Sequence, residues 1–306
     1  KLDEEYLQNI ISDLLSNNGF NECINNSLSK SSYSELMTEI KLDEQVKLLN
    51  PLSQDLDGMR QSLLFSGLEN VAHNLNRKNH NLSFYEFGKT YQIINSKYIE
   101  KKKLILLACG NEKSESWNEK NKKKDFFWIK QKVEHILKRL GLNNFTEKNN
   151  KLSYLFDAYS FNFKKNRIAD FGFVNKNTLK AFGIKSDVLY AELNWDLIVK
   201  HIHSKTKYSE INKFPSVRRD LALLLDKDIE FSKLKSLAIE TEKKLLKSVN
   251  LFDVYQGDKL PNNKKSYALS FILEDKKNTL TDLQIDEVMD KLINVFKKKV
   301  GAELRK

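Results

Sequence analysis

The sequence predicts an α+β protein in two domains, and three observations predict it. A chain of 306 residues with 40% hydrophobic and 10% aromatic content has material for about two cores. Apolar residues recur with helical spacing in some stretches and alternate with polar ones in others. After residue 211 these stretches follow the order β-α-β-β-α-β, whereas the earlier part mixes helices with long apolar strands.

Leu7, Ile10, Ile11, Leu14 and Leu15 keep the pattern of a first helix, and Gly19 stands where its cap belongs. The turn Asn50-Pro51-Leu52-Ser53 precedes a second amphipathic helix carrying Leu64, Gly67, Leu68, Val71, Ala72 and Leu75. Phe84–Phe87 followed by Gly88 reads as a strand with a bulge or turn, and Leu104–Cys109 as a buried strand. The Lys-rich stretch 111–124 is expected to be an exposed loop. Asp125 caps a helix with Phe126, Ile129, Val133, Ile136, Leu137 and Leu140 inward, and Gly141 ends it. Strands follow at about 168–174 and 188–193. The polar connection near 201–212 sets the expected boundary, giving domains 1–211 and 212–306.

In the second domain, Leu221–Leu225 reads as a strand, 231–245 as a helix and Val249–Tyr255 as a strand, followed by the turn Gly257-Asp258-Lys259-Leu260-Pro261. Ser266–Glu274 alternates, with Tyr267, Leu269, Phe271 and Leu273 on one face. Thr281-Asp282-Leu283-Gln284 is a capping box. It opens a helix with Ile285, Val288, Met289, Leu292, Ile293 and Phe296 inward, and 302–305 supply a short edge strand. This is the ferredoxin-like plan, which leaves one sheet face open.

The net charge of +11 is a weak pointer to nucleic acid. Lys and Asn together make up about a quarter of the chain, as codon drift in an AT-rich genome would produce. Position says more: residues 212–306 carry 20 basic against 15 acidic residues, roughly twice the net charge density of residues 1–211, and so form the polyanion-facing end. No apolar run approaches the roughly 20 residues of a membrane span. The chain starts on helix-forming sequence without Met or a signal-like segment, which suggests a piece of a longer protein. Cys23 and Cys109 have no CxxC partner and are expected to be buried thiols in a reducing, cytoplasmic setting.

Several chemistries are excluded. The ten Gly lie at least nine residues apart, so no glycine cluster lets backbone close on a phosphate as in a P-loop or dinucleotide loop. There is no Gly-x-Ser-x-Gly elbow. His201-x-His203 points two imidazoles to one side of a strand, yet it has no nearby Cys and no local carboxylate, and metal binding is not expected. No catalytic constellation is present.

Recognition residues remain. Arg is scarce, with seven among 52 basic residues, and two stand side by side in Lys213-Phe214-Pro215-Ser216-Val217-Arg218-Arg219-Asp220. A planar multi-donor fork suits phosphate or carboxylate. The alternative is structural, with Arg218 or Arg219 binding Asp220 or a turn carbonyl. Lys213, Arg218, Arg219, Tyr255, Lys264, Lys265 and Arg305 are the candidate RNA-binding residues, cations for phosphate and an aromatic ring for unpaired bases. Here too a solvated or core role is the alternative for each.

Five blocks in order resemble a known family: Lys213–Ala222, Leu251-Phe252-Asp253-Val254-Tyr255-Gln256-Gly257, Lys264-Lys265-Ser266, Thr279-Leu280-Thr281-Asp282 and Gly301-Ala302-Glu303-Leu304-Arg305. They are similar to the ferredoxin-fold anticodon-binding domain that closes the β subunit of bacterial phenylalanyl-tRNA synthetases. Gly19-Phe20-Asn21-Glu22, Asn50–Ser53, Met59–Leu64, Asn74–Arg77, Tyr85–Lys89 and Asp125-Phe126-Phe127 resemble that subunit's catalytic-like domain. The resemblance implies a class II synthetase-like antiparallel sheet domain followed by the ferredoxin-like one. It implies a non-catalytic subunit of an ATP-dependent ligase that docks the catalytic α subunit in an α2β2 assembly and holds tRNA(Phe) near its anticodon. ATP and Mg²⁺ are then expected in the holoenzyme and not on this chain, which lacks an Arg-x-Glu and a Gly-x-Gly. Asn50, Pro51, Arg60, Leu64, Leu68 and Arg77 are the candidate subunit-interface residues, with a purely intramolecular core role as the alternative. Phe156–Ser160 stands where the family usually has a Pro-Gly-Arg segment. The family's upstream editing and metal-contacting modules are not assigned to this chain. The runner-up is a stand-alone RNA- or protein-interaction module outside the ligase.

Overall fold

Asp3 starts the first helix, α1 (Glu4–Asn17), by accepting the N–H groups of Glu5 and Tyr6 on its side chain. Leu7, Ile11 and Leu15 are buried along one face. The computed structural model describes residues 3–51, 53–202, 208, 210–257 and 260–305. The chain divides into two units, Lys1–Thr206 and Lys207–Lys306.

The first unit is built on a seven-stranded sheet. Its strands are β1 (Asn21–Glu22), β4 (Leu82–Ile94), β5 (Lys97–Cys109), β6 (Phe145–Asn149), β7 (Leu155–Phe163), β8 (Asn166–Val174) and β9 (Val188–Asn194). A separate short ribbon pairs β2 (Leu28–Ser29) with β3 (Gly58–Met59). The order is β1-β4-β5-β9-β8-β7-β6, antiparallel throughout except for the β1–β4 pair. Both faces are covered. Leu104, Leu106 and Ala108 of β5 pack with α1, α3 (Phe126–Arg139) and α5 (Trp195–His201). Ile105, Leu107 and Cys109 point the other way and pack with α2 (Leu64–Asn76) and α4 (Lys176–Ala181). The unbroken apolar run follows from this, because successive strand residues alternate faces and both faces are dry.

Gly88 corrects one reading. It interrupts nothing: β4 runs straight through it and pairs Gly88 with Lys103. Glycine is needed because a Cβ would lie 2.5 Å from Arg60 Nη2 and 2.7 Å from Leu63 Cδ2. The Asp125 cap forms, accepting from Trp128 N–H. Gly19, Gly141 and Gly301 follow their helices with φ of 80°, 80° and 62°. Cys23 is half-buried and not fully buried like Cys109. Burial raises both thiol pKa values, which suppresses thiolate chemistry.

The second unit follows the predicted order: β10 (Val217–Asp226), α6 (Phe231–Thr241), β11 (Leu246–Tyr255), β12 (Lys264–Leu273), α7 (Asp282–Val300) and β13 (Glu303–Leu304). The four strands line up as β11-β12-β10-β13, all antiparallel. Tyr267, Leu269, Phe271 and Leu273 share one core with Leu234 of α6 and with Ile285, Val288, Leu292 and Phe296 of α7. The capping box is complete: Thr281 accepts Gln284 N–H, and Gln284 accepts Thr281 N–H. Asp258 and Lys259 of the expected turn lie outside the described residues.

Candidate nucleic-acid interface

Strand periodicity decides where the Arg pair points. In β10, Arg218 pairs with Ile272 and Arg219 with Phe271, so Arg219 shares the helix-covered face with Phe271 while Arg218 lies on the other. The two guanidiniums therefore form no common fork, and a single phosphate gripped by both is ruled out. Arg219 reaches Asp282 at the start of α7, 3.8 Å away. Arg218 donates from Nε to Asp220 Oδ1 at 2.8 Å and from Nη2 to Oδ2 at 3.1 Å. The structural alternative is thus present for Arg218, on a surface where its side chain stays 55% exposed.

On the uncovered face, β12 contributes only small residues around its middle. Ser266 and Ser270 are buried, with Ala268 between them. They form a floor, and larger side chains rise from the flanking strands. Register shifts in β11 between Leu246 and Ser248 and between Leu251 and Asp253 re-aim its side chains, as bulges do. Phe252 is 49% exposed there, and the guanidinium carbon of Arg218 lies 5.1 Å from its ring centroid. Tyr255 pairs with Ser266, and the guanidinium carbon of Arg305 lies 5.1 Å from its ring. Gly257 admits the folded ring, since any Cβ there would collide with the Tyr255 hydroxyl. Arg305 is placed by its N–H, which donates to the Ala222 carbonyl beside β13.

Lys264 sits on this face, paired with Asp226 at 3.1 Å. Lys213 is exposed ahead of β10. Lys265 is a correction: it points to the opposite side, is 5% exposed, and donates to the Tyr267 hydroxyl at 2.7 Å. A buried, bonded ammonium has no reach to a phosphate. Phe252 follows Leu251, which faces the core, so alternation alone turns it outward, and its core alternative does not hold; the shift between Leu251 and Asp253 is what brings Tyr255, paired with Ser266, onto the same open face.

In the first unit, Asn50 and Pro51 are exposed, and Leu49 beside them is 98% exposed. Leu52 lies outside the described residues. Arg77 is exposed at the C-cap of α2 and donates to the His73 carbonyl. Leu64 and Leu68 are fully buried in the chain's own core, and Arg60 is 4% exposed, so these three present no surface of their own. Arg60 holds Glu86 at 2.7 Å and the Lys89 carbonyl at 3.0 Å. Glu86 also accepts from Asn25, which in turn accepts from Asn70 of α2. The segment is shaped from inside by this network.

A polar cleft of about 250 Å³ opens on the sheet of the first unit, lined by Lys103, Arg167, Asp170 and Glu192 among others. Lys103 binds Glu192 at 2.8 Å, and Arg167 binds Asp170 at 3.3 Å. Burial pushes the Glu192 carboxyl up, but Lys103 and the donating Tyr190 hydroxyl bring it below its ordinary value. Burial raises Asp170 despite Ser160 and Arg167. These charges neutralise one another in place. His201 bonds to Asn166 at 3.0 Å; His203 lies outside the described residues. Among the described residues no three His, Cys, Asp or Glu side chains group as metal ligands, and no helix is long and apolar enough to cross a membrane.

Comparison with known proteins fits this architecture. Residues 1–195 match the family model of the phenylalanyl tRNA synthetase beta chain CLM domain, and residues 212–305 match the ferredoxin-fold anticodon binding domain. The phenylalanine–tRNA ligase beta subunit of Bacteroides fragilis is 46% identical over 98% of this chain and 38% of its own length. That of Porphyromonas gingivalis is 40% identical over 97% and 38%, and that of Clostridium acetobutylicum 28% over 98% and 38%. The chain thus spans about two fifths of these relatives. Among solved structures, a pyrrolysyl tRNA synthetase from Desulfitobacterium hafniense aligns at a TM-score of 0.50 and 14% identity, covering 63% of this chain and 66% of that one, which shows a shared fold alone. With nearly all of its length matched by these two models and these relatives, the chain belongs to the phenylalanyl-tRNA synthetase β-chain family.

Proposed function

We propose that this chain works within the β subunit of a phenylalanine–tRNA ligase, without carrying the chemistry itself. The uncovered sheet face of the second unit, within the residues matched by the anticodon-binding model, carries the proposal. A floor of Ser266, Ala268 and Ser270 flanked by Tyr255, Phe252, Arg218 and Arg305 offers ring faces for unpaired bases and guanidiniums for phosphate. Lys213 and Lys264 add positive charge at its margins. We take tRNA(Phe), near its anticodon, as the ligand.

The first unit is assigned the α-subunit contact in an α2β2 assembly, with Leu49, Asn50, Pro51 and Arg77 as its accessible residues. Its cleft does not fit ATP. Lys103 and Arg167 are held by Glu192 and Asp170, and Lys101, bonded to Gln92, is matched by Glu39 in the same lining, which leaves no excess positive charge for a triphosphate. ATP and Mg²⁺ therefore belong to the α subunit in this reading, and the chain contributes by positioning tRNA for the attachment of phenylalanine. Co-expression with the α subunit from the same source, followed by native mass measurement, tests the assembly. A defined α–β complex is the expected result. A chain that remains alone both as this segment and as the full-length β subunit would sink the ligase reading.

A further inference from the structure

We propose that Phe252 is a second base-stacking station beside Tyr255, and that each ring is covered in the free protein by an arginine which an incoming base displaces. The inference rests on the reading of the open face as an RNA surface. The two rings are equivalent in build. Each projects from β11, each meets a guanidinium at 5.1 Å, Arg218 on Phe252 and Arg305 on Tyr255, and the covering arginines come from different segments, Arg218 from β10 and Arg305 from just past β13. A planar guanidinium over a ring occupies the face that a nucleobase would take, and its attraction to the ring at an exposed site is weaker than base–aromatic stacking. Exchange is therefore downhill. The displaced guanidinium, still anchored on its strand, is released beside the backbone of the base that displaced it, where it meets phosphate.

Phe252 and Tyr255 are three residues apart on a bulged strand, a separation of roughly 10 Å for extended backbone. Two unpaired bases can lie on them without stacking on each other, so the face takes a splayed single strand and not a helix. Arg218 has a further tie, its bidentate pair with Asp220, so it swings less freely than Arg305. Asp220 also lies next to any phosphate at this station and disfavours one placed directly over it.

The test is a titration of the 306-residue chain with an RNA hairpin of the tRNA(Phe) anticodon arm at several KCl concentrations, with circular dichroism confirming that each variant folds. Phe252→Ala and Tyr255→Ala should each weaken binding by roughly ten- to hundredfold. Arg305→Ala should lower the slope of log K against log salt by about 0.7 while affinity extrapolated to 1 M salt holds or rises, because the ring is freed as the phosphate contact is lost. Arg218→Ala, made together with Asp220→Asn so that no carboxylate is stranded, should do the same. If Phe252→Ala binds within twofold of wild type while Tyr255→Ala fails, Phe252 is no station and the proposal falls. If Arg305→Ala loses affinity at every salt with an unchanged slope, the arginine is not a displaceable cover. A wild-type chain that does not bind the hairpin overturns the RNA reading itself, a result distinct from either failure.

Discussion

Removing Glu86 should unfold the first unit far more readily than any surface change. Glu86 is 2% exposed and Arg60 4% exposed. The guanidinium meets Glu86 Oε1 at 2.7 Å and also donates to the Lys89 carbonyl, with longer contacts to the Asn25 and Asn26 carbonyls. The other carboxylate oxygen accepts from Asn25 at 2.7 Å. Glu86→Ala leaves a guanidinium with no counter-charge in a site that water cannot reach, which costs about 3–5 kcal/mol. Arg60→Ala strands the carboxylate at a similar cost. The double variant removes both charges, so its loss should fall short of the sum by roughly 1–3 kcal/mol. The assay is urea unfolding followed by tryptophan fluorescence. All three Trp residues, Trp117, Trp128 and Trp195, lie in the first unit, so the signal reports that unit alone. Single variants that each lose under about 1 kcal/mol, or a strictly additive double variant, would refute the reasoning.

Further outcomes follow from the same contacts. Gly88→Ala should destabilise the first unit by about 1–3 kcal/mol in the same urea assay, because its methyl meets Arg60 Nη2 and Leu63. Asp170→Asn should stabilise that unit at neutral pH. Burial raises the folded carboxyl above its ordinary 3.8, so the ionised form opposes folding above that raised pKa, and the gain should shrink as pH falls toward 3.8. A pH series of urea midpoints reads this directly, and a gain that persists at acid pH would contradict it. Thr281→Ala removes the capping box of α7 and should lower the second unit's stability by about 1 kcal/mol, measured by far-ultraviolet circular dichroism.

The second unit was largely legible because its signals are local. The alternation of Tyr267, Leu269, Phe271 and Leu273 and the Thr281–Gln284 box each fix an element within a few residues, and the element order fixes the fold. The edge strand β6 was not legible: Phe145–Asn149 is polar and mostly exposed, and only pairing with β7 makes it a strand. Gly88 misled for the same reason, since what it meets is Arg60, distant in sequence. Of the candidate site, Arg218, Arg305 and Tyr255 were named from residue type, and all three lie at the open face. Arg219 and Lys265 were assigned to it although strand parity turns them to the other side, a distinction that needs the register of β10 against β12. That Tyr255 shares the open face with Phe252 became visible only through the bulge between Leu251 and Asp253. Leu64 and Leu68, read as surface for a partner, belong to the core because the same apolar stripe that suits a partner helix also suits the chain's own sheet.

The most direct measurement places a photo-crosslinking residue at Ala268, in the middle of the open face, within the assembled ligase, and maps the crosslinked nucleotides of tRNA(Phe). The account predicts crosslinks confined to the anticodon loop and abolished by excess unlabelled tRNA(Phe). Crosslinks only to the acceptor stem, or only to protein, would contradict it.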